Sequence, residues 1–353
     1  MRNHIFRTRS KGLRIVALGG GNGLATLLSG LKGFVGEEHS EPIWISDLAA
    51  VVAVSDDGGS SGRIRDELQI LPPGDIRNCM VALSEDSHLL SRLFKHRFTG
   101  EGELAGHNFG NLFLAALSEI TGDFSEAVKL SSEILVSKGH IYPATMEDVR
   151  LVAEVRSGKL IYGETNIGKN GTEIRRVRLE PETCLPLPET LAAIEAADII
   201  TVGPGSLFTS ILPPLLVNGV ADALSRSGAK KVFVSNLMTQ PGETDGFSAR
   251  RHLEVIAEHA PQLTFDYVIV NSQPIKDEQA EKYGGEGARQ IGIGGSISHE
   301  SIEGVKIIYG NLLDIGEKVR HHPETLARTI LRCASDPPQE RHKRGIERRL
   351  VAD

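Results

Sequence analysis

The sequence predicts an α/β fold: a Rossmann-like parallel sheet flanked by helices, with a helical section and a small β excursion. Three observations carry this. Short apolar runs rich in β-branched residues stop at glycine or paired acids, the way buried parallel strands end. Leucines at helical spacing follow the first such run. The same βα rhythm resumes later in the chain, after an interruption.

The first strand is Leu13 to Leu18, closed by Gly19. Leu24, Leu27, Leu28 and Leu31 then trace one face of a helix. A second buried strand, Ala49 to Val54, breaks at Asp56-Asp57-Gly58-Gly59. From about Asp75 to Ser137 the 3.6-residue period returns in blocks, as at Leu112, Ala116 and Ile120, with Asn108 placed to cap a helix. Residues 140–180 change to short alternation around glycine turns (Val152, Val155; Leu160, Tyr162; Ile174, Val177, Leu179), the β excursion. After Pro188, strands are expected near Asp198–Val202, Lys231–Ser235 and Tyr267–Val270, and Pro323 opens a last helix to about Ala334. Residues 1–12 read as a basic arm, 13–335 as a single α/β domain, and 336–353 as a mobile tail.

Composition narrows the function classes. Of 353 residues, 40% are hydrophobic and 24% charged, which supports a packed core rather than disorder. The longest apolar run, Leu48 to Val54, is far short of the roughly 18 residues a membrane span needs. The first fourteen residues hold five cations, but no apolar h-region follows before Gly12, so no secretory signal is expected. Cys79, Cys184 and Cys333 have no disulfide or zinc spacing, which fits a reducing cytoplasm. A net charge of −7 argues against nucleic-acid binding by bulk charge.

Ligands of parallel α/β sheets sit beyond the carboxyl ends of strands, so glycine-rich sequence after a strand marks candidate sites. Gly19-Gly20-Gly21-Asn22-Gly23 lets backbone N–H groups and a helix N-terminus approach a phosphate. Leu24 breaks the dinucleotide fingerprint, and a tight turn is the plain alternative. After the second strand, Asp56 and Asp57 suit a hard cation such as Mg²⁺, while Ser60, Ser61 and Arg63 suit phosphoryl oxygens. An ordinary Asp-Gly turn competes. Gly58 to Gly62 also fits GxSxG, which would make Ser60 a hydrolase nucleophile.

In Pro72-Pro73-Gly74-Asp75-Ile76-Arg77-Asn78, Asp75 is a helix cap or a ligand. Arg77 opposes the helix dipole, which implies an anion nearby; with Arg63 and Arg65 it would make a clamp. His107, Asn108 and Asn111 form a further polar group around a helix start. Gly203-Pro204-Gly205-Ser206 and Thr209 repeat the strand–glycine–helix pattern, with Ser206 as a diphosphate donor or a cap. Asn236 and Gln240 fall on the same rim and could read a base or sugar.

Taken in order, GGGNG, VSDDGGSSGR, PPGDIRN, HNFGN and GPGSLFTS resemble the CofD-like (UPF0052) superfamily, in its gluconeogenesis-factor branch. The resemblance implies a Rossmann-like fold that binds a nucleotide diphosphate conjugate, here a nucleotide sugar such as UDP-GlcNAc. It also implies a regulator of cell shape and envelope during growth on gluconeogenic carbon sources. The other branch, 2-phospho-L-lactate transferase, implies a Mg²⁺-dependent transferase using Asp56 and Asp57, although Gly205-Ser206-Leu207 departs from its PSNP element. The resemblance further places Tyr283 and Arg320 near the nucleotide. No catalytic residue is assigned outside the transferase and hydrolase alternatives. A homo-oligomer and a regulatory protein partner are expected, with no nucleic acid.

Overall fold

The computed structural model describes residues 12–36, 43–85, 88–169, 171, 173–292, 301–302 and 304–335. The basic arm short of Gly12 and the expected tail lie outside them. The chain runs β1 (Leu13–Gly19), α1 (Gly21–Leu31), β2 (Ile45–Val52), α2 (Gly59–Leu68), α3 (Gly74–Leu83), α4 (His88–Lys95), α5 (Phe109–Thr121), α6 (Phe124–Ile134) and β3 (His140–Pro143). An excursion follows: β4 (Arg150–Val155), β5 (Leu160–Tyr162), α7 (Glu164–Lys169) and β6 (Ile174–Glu180). Then come α8 (Pro188–Ala196), β7 (Ile199–Val202), a π-helical turn at Leu207–Ile211, α9 (Leu212–Leu216) and α10 (Val220–Arg226). The last part holds β8 (Lys230–Val234), α11 (Ala249–His259), β9 (Tyr267–Asn271), α12 (Asp277–Gly285), β10 (Ser301–Ile302), β11 (Val305–Gly310) and α13 (Pro323–Ser335).

Eight strands form one sheet in the order β10-β11-β9-β8-β7-β1-β2-β3. All its pairings are parallel except β10 with β11. The central strands are buried along most of their length, β7 at all four residues, which is why they read as unbroken apolar runs. Each fully buried aliphatic side chain, such as Leu18 or Ile200, contributes about 1.5–3 kcal/mol relative to exposure. Helix α1 packs on α13 closely enough that a Cβ on Gly30 would lie 2.5 Å from the carbonyl carbon of Pro323.

Two strand boundaries differ from expectation. The second strand begins earlier, at Ile45, and ends at Val52, because Ile45 pairs with Leu13 and Asp47 with Arg14 across an exposed irregularity at Ser46. The excursion proper starts at Arg150, since His140–Pro143 joins the main sheet beside β2. Strands β4, β5 and β6 form a separate antiparallel sheet. Polar contacts dock it: His259 Nε2 accepts from the Val177 N–H at 3.0 Å, and Arg65 binds Asp148 and, at 2.5 Å, the Val149 carbonyl. No single helix among the described residues is long and apolar enough to cross a membrane.

Candidate functional site

Strand order reverses at β1. The chain moves outward through β2 and β3, then returns to lay β7 on the other side of β1 and continues through β8 and β9. Leu18 is in register with both Val51 and Val202, and the Gly203 N–H donates to the Leu18 carbonyl at 3.0 Å. The two glycine loops therefore leave adjacent strands at the same height, at the topological switch point where α/β sheets bind ligands.

They touch. A Cβ on Gly23 would fall on the Pro204 carbonyl, 2.7 Å from its carbon and 3.1 Å from Gly205 Cα. Glycine is required by conformation too: Gly21 has φ +62° and Gly203 φ +78°. Helix α1 starts at Gly21 with Gly20 as N-cap and no side-chain cap, so its first-turn N–H groups are left for other acceptors. Ser206 does not cap the following turn; its hydroxyl donates to Gln240 Oε1 at 2.8 Å and lies 3.2 Å from Glu243 Oε2. Thr209 is buried in the π turn, and Ser210 rather than Thr209 faces Gly21.

Between these loops lies a cavity of about 280 Å³, lined by Asn22, Gly23, Gly205, Asn236, Arg320 and His321 among others. Asn236, expected to read a base or sugar, lines this cavity and also holds the loop. Its amide accepts from the Gly205 N–H at 2.9 Å and donates to the Gly205 carbonyl at 2.5 Å, so both ends hold the loop peptide. Tyr283 lies on α12, where its hydroxyl accepts from the Val319 N–H at 3.2 Å and so fixes the segment presenting Arg320. His321 is buried, and burial pushes its imidazole down to about 4, so the ring is neutral near pH 7. Its Nε2 has no partner among the described residues.

Carboxylates flank the other side of the first loop. Asp75 does not cap α3, whose N-cap is Pro73 with no side-chain bond. It instead lies in the first turn, bonded to the Gly21 N–H and to Asn78, with Oδ2 where a Cβ on Gly20 would come within 2.6 Å. Burial and then the Asp56 charge push Asp75 up to about 6. Asp56 is raised as well, by burial first, against hydrogen bonds from Gly58 and Ser61. Asp57, whose charge also acts on Asp56, is tied to α7. One of its oxygens accepts from the Thr165 N–H at 2.8 Å and hydroxyl at 2.7 Å. Glu164, beside Thr165 on α7, is pushed up to about 9 by burial and by Asp56, Asp75, Asp57 and Glu243. Repulsion among buried carboxylates with all-oxygen donors fits a hard cation. Among the described residues, no three such groups converge into a metal cage.

A third group surrounds Ser60, which is buried at the second position of α2. Its hydroxyl accepts from the Asn108 N–H at 3.1 Å and Asn111 Nδ2 at 3.3 Å, and lies 3.3 Å from His107 Nδ1. Asn111 also reaches Ser61 at 3.4 Å, and Asn108 caps α5 as expected. Seven residues separate Val52 from Ser60, and α2 is already under way there, so the strained strand-to-helix elbow of a hydrolase is not formed. The expected Arg63–Arg65–Arg77 clamp is also not formed. Arg65 faces the excursion, bound to Asp148 and Val149, because its place on the inner side of α2 puts it at that junction. Arg63 Nη2 donates to the Ala105 carbonyl at 2.8 Å.

The structure thus gathers the residues from Gly19 to Gly23, Asp56, Asp75, Gly203 to Ser206 and Arg320 along one rim. Sequence reasoning missed Glu164, Thr165, Glu243 and His321. An acid directly after a strand-ending glycine, as in Tyr162-Gly163-Glu164, was the available signal.

A family profile described as "2-phospho-L-lactate transferase CofD" matches residues 15–313. The chain is similar to a gluconeogenesis factor of Halalkalibacterium halodurans, 46% identical over 78% of this chain and 83% of that one. It is also similar to the gluconeogenesis factor of Bacillus subtilis, 42% identical over 90% of this chain and 97% of that one. A crystal structure of a UPF0052 family member from Bacillus halodurans superposes with a TM-score of 0.84 at 42% identity, covering 91% of this chain and all of the other.

Proposed function

Since this chain belongs to the CofD (UPF0052) family, among relatives that are gluconeogenesis factors, we propose that its cleft binds a nucleoside diphosphate conjugate of the nucleotide-sugar class, such as UDP-GlcNAc. Binding would make the protein a metabolite-responsive regulator of cell shape and envelope on gluconeogenic carbon sources. The observation that carries the reading is the contact of Gly23 with Pro204 and Gly205, which joins two helix-opening glycine loops into one anion-accepting edge. The diphosphate lies along that edge, and the 280 Å³ cavity beside it takes the nucleoside, with Arg320 available to a phosphate. The protein works in the cytoplasm as a homo-oligomer and passes the bound state to a regulatory protein partner.

The acidic group favours a second reading, a Mg²⁺-dependent transferase. Asp56 and Asp75 would hold the ion with ligand phosphates, and the ion would stabilise charge developing on the phosphoanhydride. Asp57 would act by positioning α7 through Thr165, and Glu164 would hold a proton until a cation arrives. A thermal-shift screen of nucleotides and nucleotide sugars with and without Mg²⁺, followed by mass analysis of the ligand, tests both readings. Stabilisation of about 2.7 kcal/mol is expected at 100 times Kd. Intact ligand supports the regulator and release of a nucleoside monophosphate supports the transferase, while no response to any nucleotide contradicts both.

A further inference from the structure

One charged side chain beside the cleft is not accounted for by the glycine loops, the nucleoside cavity or the carboxylates. Arg77 stands half-buried in the first turn of α3, a position where a cation opposes the helix dipole. Its aliphatic stem lies under Gly110, where a Cβ would come within 2.8 Å of Cγ and 2.9 Å of Cδ. Its guanidinium makes no hydrogen bond or ion pair among the described residues, and Nε is buried without a partner. Arginines on other faces are differently placed: Arg14, Arg65 and Arg150 each hold an aspartate. A guanidinium taken partly out of water with no acceptor is unfavourable unless a ligand supplies one.

Two further cations border the loop that precedes α5. Arg63 Nη2 binds the Ala105 carbonyl at 2.8 Å, and Arg97 Nη1 binds the Gly106 carbonyl at 2.5 Å. Neither has a carboxylate partner, and both are exposed. Arg97 is near enough to repel Arg77, and both Arg63 and Arg97 repel a proton on His107. Asp75 and Asp56 also act on Arg77, so its charge is coupled to the acidic group as well as to this basic group. Guanidinium groups brought together with no carboxylate hydrogen-bonded to them among the described residues are suited to phosphoryl and carboxyl oxygens.

We propose that Arg77, Arg97 and Arg63 form a second anion subsite, beyond the carboxylates and distinct from the glycine loops, that binds a phosphoryl or carboxyl group. The group is either the far end of the cleft's own ligand or a separate small anion. Only the first source rests on the nucleotide reading; the subsite itself does not.

Calorimetry on the full chain, with UDP present to occupy the glycine loops, tests it. Inorganic phosphate is expected to bind the wild type, and Arg97→Ala and Arg77→Gln each weaken it about tenfold or more. Arg97 is exposed, so its variant reads binding rather than folding, and Arg77→Lys should restore part of the loss. UDP-glucuronic acid binding about tenfold tighter than UDP-N-acetylglucosamine, with the preference erased by Arg97→Ala, assigns the subsite to the far end of the ligand. Phosphate binding that persists beside saturating UDP-N-acetylglucosamine assigns it to a separate anion. Failure of UDP to bind removes the nucleotide reading, yet the phosphate response of the two variants still decides the subsite. Wild type, Arg97→Ala and Arg77→Gln that respond alike to phosphate, without discrimination between the acidic and neutral conjugates, overturn the proposal.

Discussion

Adding one methyl group at Gly23 should separate the two glycine loops. In Gly23→Ala the new Cβ would sit 2.7 Å from the Pro204 carbonyl carbon and 3.1 Å from Gly205 Cα, with the carbonyl oxygen nearer still. These are backbone atoms, so no rotamer change relieves the overlap, and the loops must part by several tenths of an ångström. Overpacking of this kind costs about 1–3 kcal/mol. Displacing the ligand-facing edge should also weaken nucleotide binding by about tenfold or more, or ~1.4 kcal/mol. Gly30→Ala provides the comparison. Its Cβ would meet the Pro323 backbone at 2.5–3.1 Å, a similar collision between α1 and α13 but away from the cleft. Thermal melts should show both variants destabilised, while titration with UDP-GlcNAc should show affinity lost only in Gly23→Ala. Gly33→Ala, with nothing within 4 Å of its Cβ, should match the wild type in both assays. Equal affinity in Gly23→Ala and Gly30→Ala would refute the reasoning that loop contact builds the site.

Asn236→Ala removes both bonds to the Gly205 peptide. Nucleotide affinity should fall by the equivalent of about 1–3 kcal/mol, read by calorimetry. Ser60→Ala strands the Asn108 N–H and leaves the Asn111 amide only Ser61, lowering stability by about 1–3 kcal/mol in denaturant titration, and an active-site-directed phosphonate should not label the wild type. Asp75 and Glu164 hold protons more tightly folded than unfolded, so unfolding releases protons. Without divalent cations, stability should therefore decline as pH rises, from about 3.8 through about 6 for Asp75 and from about 4.5 through about 9 for Glu164. Glu164→Gln should flatten the upper part of that decline in melts across pH, and an unchanged slope would count against the assigned burial.

Much of this was legible from local sequence. The strand–glycine–helix pattern at Gly19–Gly23 and Gly203–Ser206 is a chain-local requirement, because positive φ and close backbone approach both exclude side chains. Asn108 capping α5 is equally local. Long-range partners were not legible. An amide at Asn236 is chemically suited either to a base or to a peptide, and only the β7–β8 adjacency decides for Gly205. Asp75 matches a cap by spacing, yet α3 starts at Gly74 and leaves that carboxyl to Gly21. Arg65 is drawn off by Asp148, 83 residues on, just before the excursion begins. Glu164 escaped notice for the same reason: α7 reaches the site only through Thr165 and Asp57, 108 residues apart in the chain.

Hydrogen–deuterium exchange with and without saturating UDP-GlcNAc and Mg²⁺ addresses the shared cleft most directly. Peptides spanning 19–23 and 203–206 should gain protection together, at the same ligand concentration. Protection of one with the other unchanged would mean that the two halves of the sheet do not serve a common ligand.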